Sequence, residues 1–149
     1  MLQNKKGFTI IELLIVIAII GLLATISMVA LNGARLKGRD AKRVGDIRQV
    51  QTALELYFND QNSYPVTTTN LVLGSATARV LCDTAAGFQA DTVGCNKIYM
   101  GIVPTNPAPG GSAYSYAGTS LTYTVGFSLE DATGGYAIGA HTASEKGIQ

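Results

Sequence analysis

The sequence has 149 residues, of which 47% are apolar and 14% are charged, and its formal net charge is +1. This length suits one ordinary domain with an appended element, and the apolar content excludes wholesale disorder. Residues 35–48 hold six bases and two acids, whereas residues 49–149 hold three bases and seven acids. The mildly acidic distal part argues against a general nucleic-acid-binding surface there.

The first 31 residues divide into a basic leader, residues 1–7, and an uninterrupted apolar run, residues 8–31. As a helix, the run would be about 36 Å long, which is enough to cross a hydrocarbon core of ~30 Å. A helix buried in a soluble core is the alternative, but so short a chain has little material to surround one. We therefore expect a membrane-spanning helix with one ionisable residue, Glu12.

Residues 32–63 are predicted to continue the helix as an amphipathic half. Four apolar residues recur at helical spacing and predict one buried stripe: Ile47, Val50, Leu54 and Tyr57. Four charged residues are expected on the surrounding polar surface: Arg43, Asp46, Arg48 and Glu55. Turn formers at 59–63 and then Pro65 end the helix, because proline disfavours helical geometry in the residue before it.

Residues 64–149 are predicted to form a globular head with an antiparallel meander. The clearest strand is Leu121–Leu129, where apolar and polar residues alternate, as in a sheet with one buried face. Shorter candidates are 98–103, 113–116 and 136–138. The predicted fold class is therefore α+β, with a long N-terminal helix packed on a small antiparallel sheet of three or four strands.

The junction between the leader and the apolar run carries the most specific pattern. Residues 5–24 read KKGFTIIELLIVIAIIGLLA, which resembles the signature of prepilins, the precursors of type IV pilins and of the pseudopilins of type II secretion. Residues 41–65 also resemble these proteins. The resemblance implies that a prepilin peptidase cuts after Gly7 and methylates the new terminal amine of Phe8. It also implies that Glu12 acts in filament assembly.

The physical chemistry of Glu12 agrees with that role. A carboxylate in an apolar helix is costly unless it is neutralised or paired. At the membrane edge it can reach the interface, but a packed bundle of helices requires a positive partner. The resemblance supplies one, namely the methylated amine of Phe8 in a neighbouring copy. A carboxylate at the membrane edge with no role is the alternative.

The resemblance implies a structural subunit rather than an enzyme. The precursor would be held in the bacterial cytoplasmic membrane by one helix, with its N-terminus inside and its head outside. A membrane platform and an ATPase-driven machine would then polymerise many copies into a surface filament for adhesion, motility or DNA uptake. A pseudopilin of a secretion or competence machine fits the same motif. A membrane-anchored binding domain that never polymerises is an alternative of another class.

Charge counting opposes this orientation. Six bases follow the apolar run, whereas Lys5 and Lys6 precede it, and cytoplasmic flanks are usually the more basic. We give the motif more weight, because long domains are translocated despite local charge. The basic stretch would then lie just outside the membrane, against anionic headgroups or acids of a neighbouring copy, or simply in solvent.

Cys82 and Cys95 are the only cysteines. An even number of cysteines in an exported domain predicts a disulfide, which would contribute on the order of 3 kcal/mol. Two free thiols are the alternative. A zinc site is not expected, because two ligands are too few and His141, predicted to lie on the surface, is distant in sequence. No motif for a cofactor or for catalysis is present, and Glu130-Asp131 lacks the spacing of a calcium loop.

Overall fold

The structure, a computed structural model, describes residues 7–149. Residues 1–6, which include Lys5, Lys6 and most of the predicted leader, lie outside the described part. One helix and eight strands follow one another: α1 (Ile10–Gln61), β1 (Leu71–Val72), β2 (Val80–Cys82), β3 (Phe88–Gln89), β4 (Ile98–Met100), β5 (Ser115–Gly118), β6 (Tyr123–Leu129), β7 (Gly139–Ser144) and β8 (Gly147–Ile148). The predicted α+β class is confirmed.

Two compact units divide the chain, one ending at Arg35 and the other comprising Leu36–Gln149. In the second unit α1 ends where the sequence predicts. Asn62 adopts a positive φ of 54°, and its N–H donates to the carbonyl of Phe58 at 2.8 Å. A left-handed residue just past the last turn closes a helix in this way, and Pro65 follows soon after.

The strands form two antiparallel sheets, a five-stranded sheet in the order β1-β5-β6-β7-β8 and a three-stranded sheet in the order β3-β2-β4. The stripe of α1 in the second unit packs in one core with both sheets. Ile47, Val50 and Leu54 are buried there. Strand β6 alternates as predicted, with Tyr123 and Val125 buried and Thr124 exposed. Gln51 fixes α1 to β7 through a hydrogen bond from Nε2 to the carbonyl of Ser144 at 2.8 Å.

Several strand predictions require correction. Leu121 lies outside β6 and is 71% exposed, because the turn before β6 is closed by hydrogen bonds between Thr119 and Thr122. Residues 136–138 form no strand, because a turn with a bridge from Thr133 to Tyr136 occupies this region. The candidate at 113–116 begins later, at Ser115. The candidate at 98–103 shortens to β4 and joins the second sheet through β2.

His141 was predicted to be a surface residue, yet it is partly buried. Its ring packs near that of Phe127, with centroids 5.5 Å apart. Its Nε2 lies 2.7 Å from the carbonyl oxygen of Ala137, and its Nδ1 lies 3.1 Å from that of Gln149. The side chain therefore joins β7 to its neighbouring segments, and its role in the fold is structural.

Candidate functional site

The N-terminal junction places Phe8 and Thr9 directly before the first turn of α1, which begins at Ile10. Glu12 folds back onto Thr9. Its Oε2 accepts from the backbone N–H of Thr9 and from the Thr9 hydroxyl, both at 2.8 Å. The Thr9 Oγ1 accepts in turn from the N–H of Glu12 at 3.2 Å. This reciprocal arrangement is a capping box, which satisfies donors that the first helical turn leaves free.

The capping box leaves part of the Glu12 carboxylate available. Both donors from Thr9 bind Oε2, and no group within residues 7–149 donates to Oε1. The side chain is also exposed. Glu12 is therefore held in one orientation by its own helix, while its Oε1 has no donor within residues 7–149. Sequence analysis missed Thr9, although Thr-x-x-Glu at the start of an apolar run is a recognised capping signal.

Gly7 has no evident role in the folding of its own chain. A methyl group added at its Cα would meet no other atom within 4 Å, and its φ is not in the left-handed range. A glycine is thus not required by packing or by backbone conformation at this position.

The apolar part of α1 is unprotected in its own unit. Phe8 is 87% exposed, and every large apolar side chain from Ile10 to Leu31 is more than two-fifths exposed. By length and composition α1 can cross a membrane. Such a continuous apolar surface requires lipid or other helices around it.

In the second unit, a buried ionic cluster joins α1 to two loops. Arg43 is fully buried, and its Nη1 lies 2.5 Å from Oδ1 of Asp40, which is also fully buried. The other guanidinium nitrogens donate to Oδ1 of Asn106 at 2.7 Å and to the carbonyls of Pro107 and Gly110 at 2.9 Å each. One side chain thereby organises a proline- and glycine-rich loop that has no regular secondary structure.

The loop after β6 closes the other side of the cluster. Asp40 accepts from the N–H of Glu130 at 3.1 Å and from that of Asp131 at 2.7 Å. Glu130 receives a fork of two hydrogen bonds from Arg39, at 2.9 and 2.7 Å. Hydrogen bonds from Arg39 and then Arg43 lower the pKa of Glu130 to about 2.

These contacts correct the prediction that Arg43 and Asp46 lie on the polar surface. Both are buried, and Asp46 accepts a hydrogen bond at 3.1 Å from the hydroxyl of Tyr114. Burial raises the pKa of Asp46. Arg48 and Glu55 are exposed as expected. The spacing held a signal for Arg43, which precedes Ile47 by four residues and therefore lies on the buried stripe.

The disulfide between Cys82 and Cys95 is present, with sulfur atoms 2.05 Å apart. Cys82 lies at the end of β2 and is fully buried. The enclosed segment is fixed to α1 as well, because the Tyr57 hydroxyl donates to the carbonyl of Thr84 at 3.0 Å. The bond therefore closes a loop that also packs on the helix. No cluster of metal-ligating side chains occurs within residues 7–149.

A comparison with known protein families finds a match at the N-terminal junction. Residues 2–28 match a family model described as the prokaryotic N-terminal methylation motif. The chain carries a prokaryotic N-terminal methylation motif. The match includes Gly7, Phe8, Thr9 and Glu12, which is the segment that the capping box organises.

Curated relatives of both expected kinds are similar to the chain. Type II secretion system core protein G of Escherichia coli is 39% identical over 69 residues, or 46% of this chain and 48% of that protein. The corresponding protein of Aeromonas hydrophila is 38% identical over 65 residues, or 44% of this chain and 46% of that protein. The type IV wide pilus major component PilA4 of Thermus thermophilus is 43% identical over 63 residues, or 42% of this chain and 48% of that protein.

The chain thus spans about half the length of the curated relatives that it matches. No solved structure matches significantly. The comparisons support a resemblance to pilins and pseudopilins that is carried by the methylation motif and by less than half of the chain.

Proposed function

We propose that this chain is the structural subunit of a type IV pilus. A prepilin peptidase removes residues 1–7 and methylates the amine of Phe8. The membrane then stores the subunit through the apolar part of α1, with the N-terminus inside and the head outside. A membrane platform and an assembly ATPase extract many copies into a surface filament. The observation that carries this proposal is the methylation motif, residues 2–28, which includes the start of an exposed apolar helix.

Glu12 is the proposed assembly residue. When the apolar helices leave lipid and pack together, its carboxylate needs a cationic partner. Cleavage after Gly7 creates such a group, the α-amine of Phe8. The free Oε1 of Glu12 can accept this amine from a neighbouring copy, because both contacts from Thr9 use the other oxygen.

Mass spectrometry of the chain isolated from its source membranes tests the processing step. The expected mature chain starts at N-methyl-Phe8 and lacks residues 1–7. Gly7→Ala should accumulate the uncleaved form while leaving the fold unchanged, since the added methyl meets no atom. A wild-type chain that keeps residues 1–7 contradicts the proposal and favours an anchored domain that never polymerises.

Fibre yield tests the assembly step. Glu12→Ala should be cleaved normally and yield few or no fibres. Thr25→Ala is the matched control, because Thr25 is also polar, lies in the same apolar segment and bonds only the carbonyl of Leu22 in its own helix. Normal fibres from the Glu12 variant would contradict the charge-pairing account.

A pseudopilin of a type II secretion or competence machine is the second candidate, favoured by the similarity to core protein G. Deletion of the gene distinguishes the two functions. Loss of long surface fibres in negative-stain images supports the pilus. Loss of protein secretion from cells that have no such fibres supports the pseudopilin.

A further inference from the structure

A cleft of about 640 Å³ opens between α1, β2 and the segment 101–105. Two cations line it, Lys42 from α1 and Arg79 next to β2. Both are exposed, and neither takes part in the ion pairs formed among residues 7–149. Asp46 also lines the cleft, but it is only 8% exposed and is bonded to Tyr114. The accessible charge of the cleft is therefore positive.

One wall of the same cleft is apolar. Val80, Val103 and Pro104 contribute to it, and Ile102 is 86% exposed. An aliphatic stem that ends in an anion complements such a lining, because the stem covers the apolar wall while the anion meets the two cations. A glutamate side chain has this chemistry.

A glutamate that forms no ion pair within residues 7–149 lies on the other flank of α1. Glu145 and Lys146 form the turn between β7 and β8, and both are exposed. Glu145 lines a second cleft together with Arg48, and the two clefts share no residue. Lys42 and Arg48 are six positions apart on α1, so their side chains diverge by about 120°. The cationic cleft and Glu145 thus face different directions.

The other acids of this unit are less suitable partners. Asp40, Asp60 and Glu130 already form ion pairs within the chain. Glu55 accepts hydrogen bonds from Tyr64. Asp83 and Asp131 are partly buried. Asp91 is exposed, but it follows Ala90, which lines the cationic cleft. Asp91 therefore lies beside the cleft and not on a separate surface that could enter it.

We propose that Glu145 of one copy inserts between Lys42 and Arg79 of the next copy. The inference rests on the proposed function, since it concerns contacts between heads in a filament. Because the two surfaces differ and lie on different flanks, the contact is heterologous and repeats from copy to copy without closing. Lys146 leaves the turn electrically neutral, so the pairing depends on close contact rather than on long-range attraction.

Charge reversal in cells that process and assemble the full chain tests this pairing. Arg79→Glu and Glu145→Arg should each reduce the yield of sheared fibres by about tenfold or more, since like charges in contact repel each other. The double variant restores opposite charges at positions 79 and 145 but leaves Lys42 beside the new cation, so its yield should exceed that of both single variants and recover only part of the wild-type value. Lys37→Glu is the matched control, because Lys37 is exposed, lines neither cleft and should leave the yield unchanged.

A second measurement uses the wild-type chain and does not depend on how the variants fold. A carbodiimide joins a carboxylate to an amine in direct contact, so treated fibres should give a cross-linked peptide pair containing Glu145 and Lys42. Fibres that cross-link Glu145 only elsewhere overturn the pairing. An unchanged yield in Arg79→Glu, or a double variant no better than the better single one, also overturns it and leaves the proposed function intact. A wild-type chain that is unprocessed and forms no fibres contradicts both the pairing and the proposed function.

Discussion

Replacing Arg43 by methionine is the most informative perturbation of the head. The substitution keeps an unbranched stem in the core and removes the guanidinium. Asp40 then remains fully buried with an unpaired charge, still bonded to the N–H groups of Glu130 and Asp131. Oδ1 of Asn106 and the carbonyl of Pro107 lose the guanidinium donor as well, whereas the carbonyl of Gly110 keeps a hydrogen bond from Nδ2 of Asn106.

The expected loss follows from this geometry. Removing one member of a buried ion pair typically costs about 3–5 kcal/mol, because the remaining charge is uncompensated. A domain of this size is stable by about 5–15 kcal/mol. We therefore expect Arg43→Met to lower the free energy of unfolding by about 3–5 kcal/mol, a large fraction of the total. Arg43→Lys should recover little, since an ammonium cannot reproduce the planar fork.

Urea unfolding of the full chain in detergent micelles measures the loss, followed by the near-ultraviolet signal of the buried tyrosines. Arg48→Met is the control, because Arg48 is exposed, and it should change stability by no more than about 0.5 kcal/mol. Asp40→Asn combined with Arg43→Met should cost less than the sum of the single losses, since no buried charge is stranded. A loss below about 1 kcal/mol for Arg43→Met, the typical effect of an ordinary substitution, would refute the reasoning.

Three further predictions concern Glu130, the disulfide and Thr9. The pKa of Glu130 is lowered to about 2 in the folded chain. Its contribution to the stability of the head is therefore complete above about pH 5 and is lost as the pH falls toward 2. Over this window, the urea midpoint of Glu130→Gln should fall less than that of the wild-type chain. Replacing Cys82 and Cys95 by serine should destabilise the head by about 3 kcal/mol. The bond itself is tested on the wild-type chain by labelling free thiols and then comparing electrophoretic mobility with and without reductant. Equal mobility would contradict the disulfide. Thr9→Val should be cleaved normally but yield fewer fibres, because the hydrogen bonds of the Thr9 hydroxyl in the capping box are lost. Thr9→Ser keeps a hydroxyl and should behave as wild type. Equal fibre yields from the two variants would exclude a role for the hydroxyl.

The sequence predicted those parts of the fold where a side-chain period persists. The stripe from Ile47 to Tyr57 runs for three turns, and β6 alternates over seven residues. Each is long enough for its period to be recognised. The three-stranded sheet was not predicted as a separate sheet, although β4 lies within the candidate at 98–103, because its strands have only two or three residues. All three residues of β2 are buried, so it shows no alternation at all.

The buried ionic cluster was missed for a different reason. Its members are distant in sequence, with Arg39 and Glu130 separated by 91 positions. A charged residue on a helix is ordinarily exposed, so Arg43 was predicted at the surface from its charge, although its spacing from Ile47 places it on the buried stripe. Only the folded loop at 106–110, with its carbonyls directed at one guanidinium, explains the burial. The N-terminal junction differs again, because residues 5–24 carry its pattern in the sequence itself, whatever their geometry.

The capping box changes how the role of Glu12 must be tested. The N–H that Thr9 donates belongs to the Phe8–Thr9 peptide, so cleavage after Gly7 leaves the box intact. The same carboxylate can therefore cap the first turn of α1 both before and after cleavage, and it is proposed to bind an amine only in the filament. Glu12→Ala removes both functions, and an assembly defect in that variant has two explanations.

Glu12→Gln separates the two functions. Glutamine can occupy the third position of a capping box, so the first turn should be preserved, whereas an amide carries no charge with which to pair the methylated amine. If charge pairing drives assembly, the glutamine variant should be cleaved normally and lose as much fibre as the alanine variant. If helix capping is the essential contribution, the glutamine variant should assemble like wild type. Normal assembly of Glu12→Gln would thus contradict the proposed pairing between Glu12 and the amine of Phe8. It would not affect the conclusions about the methylation motif and the membrane helix.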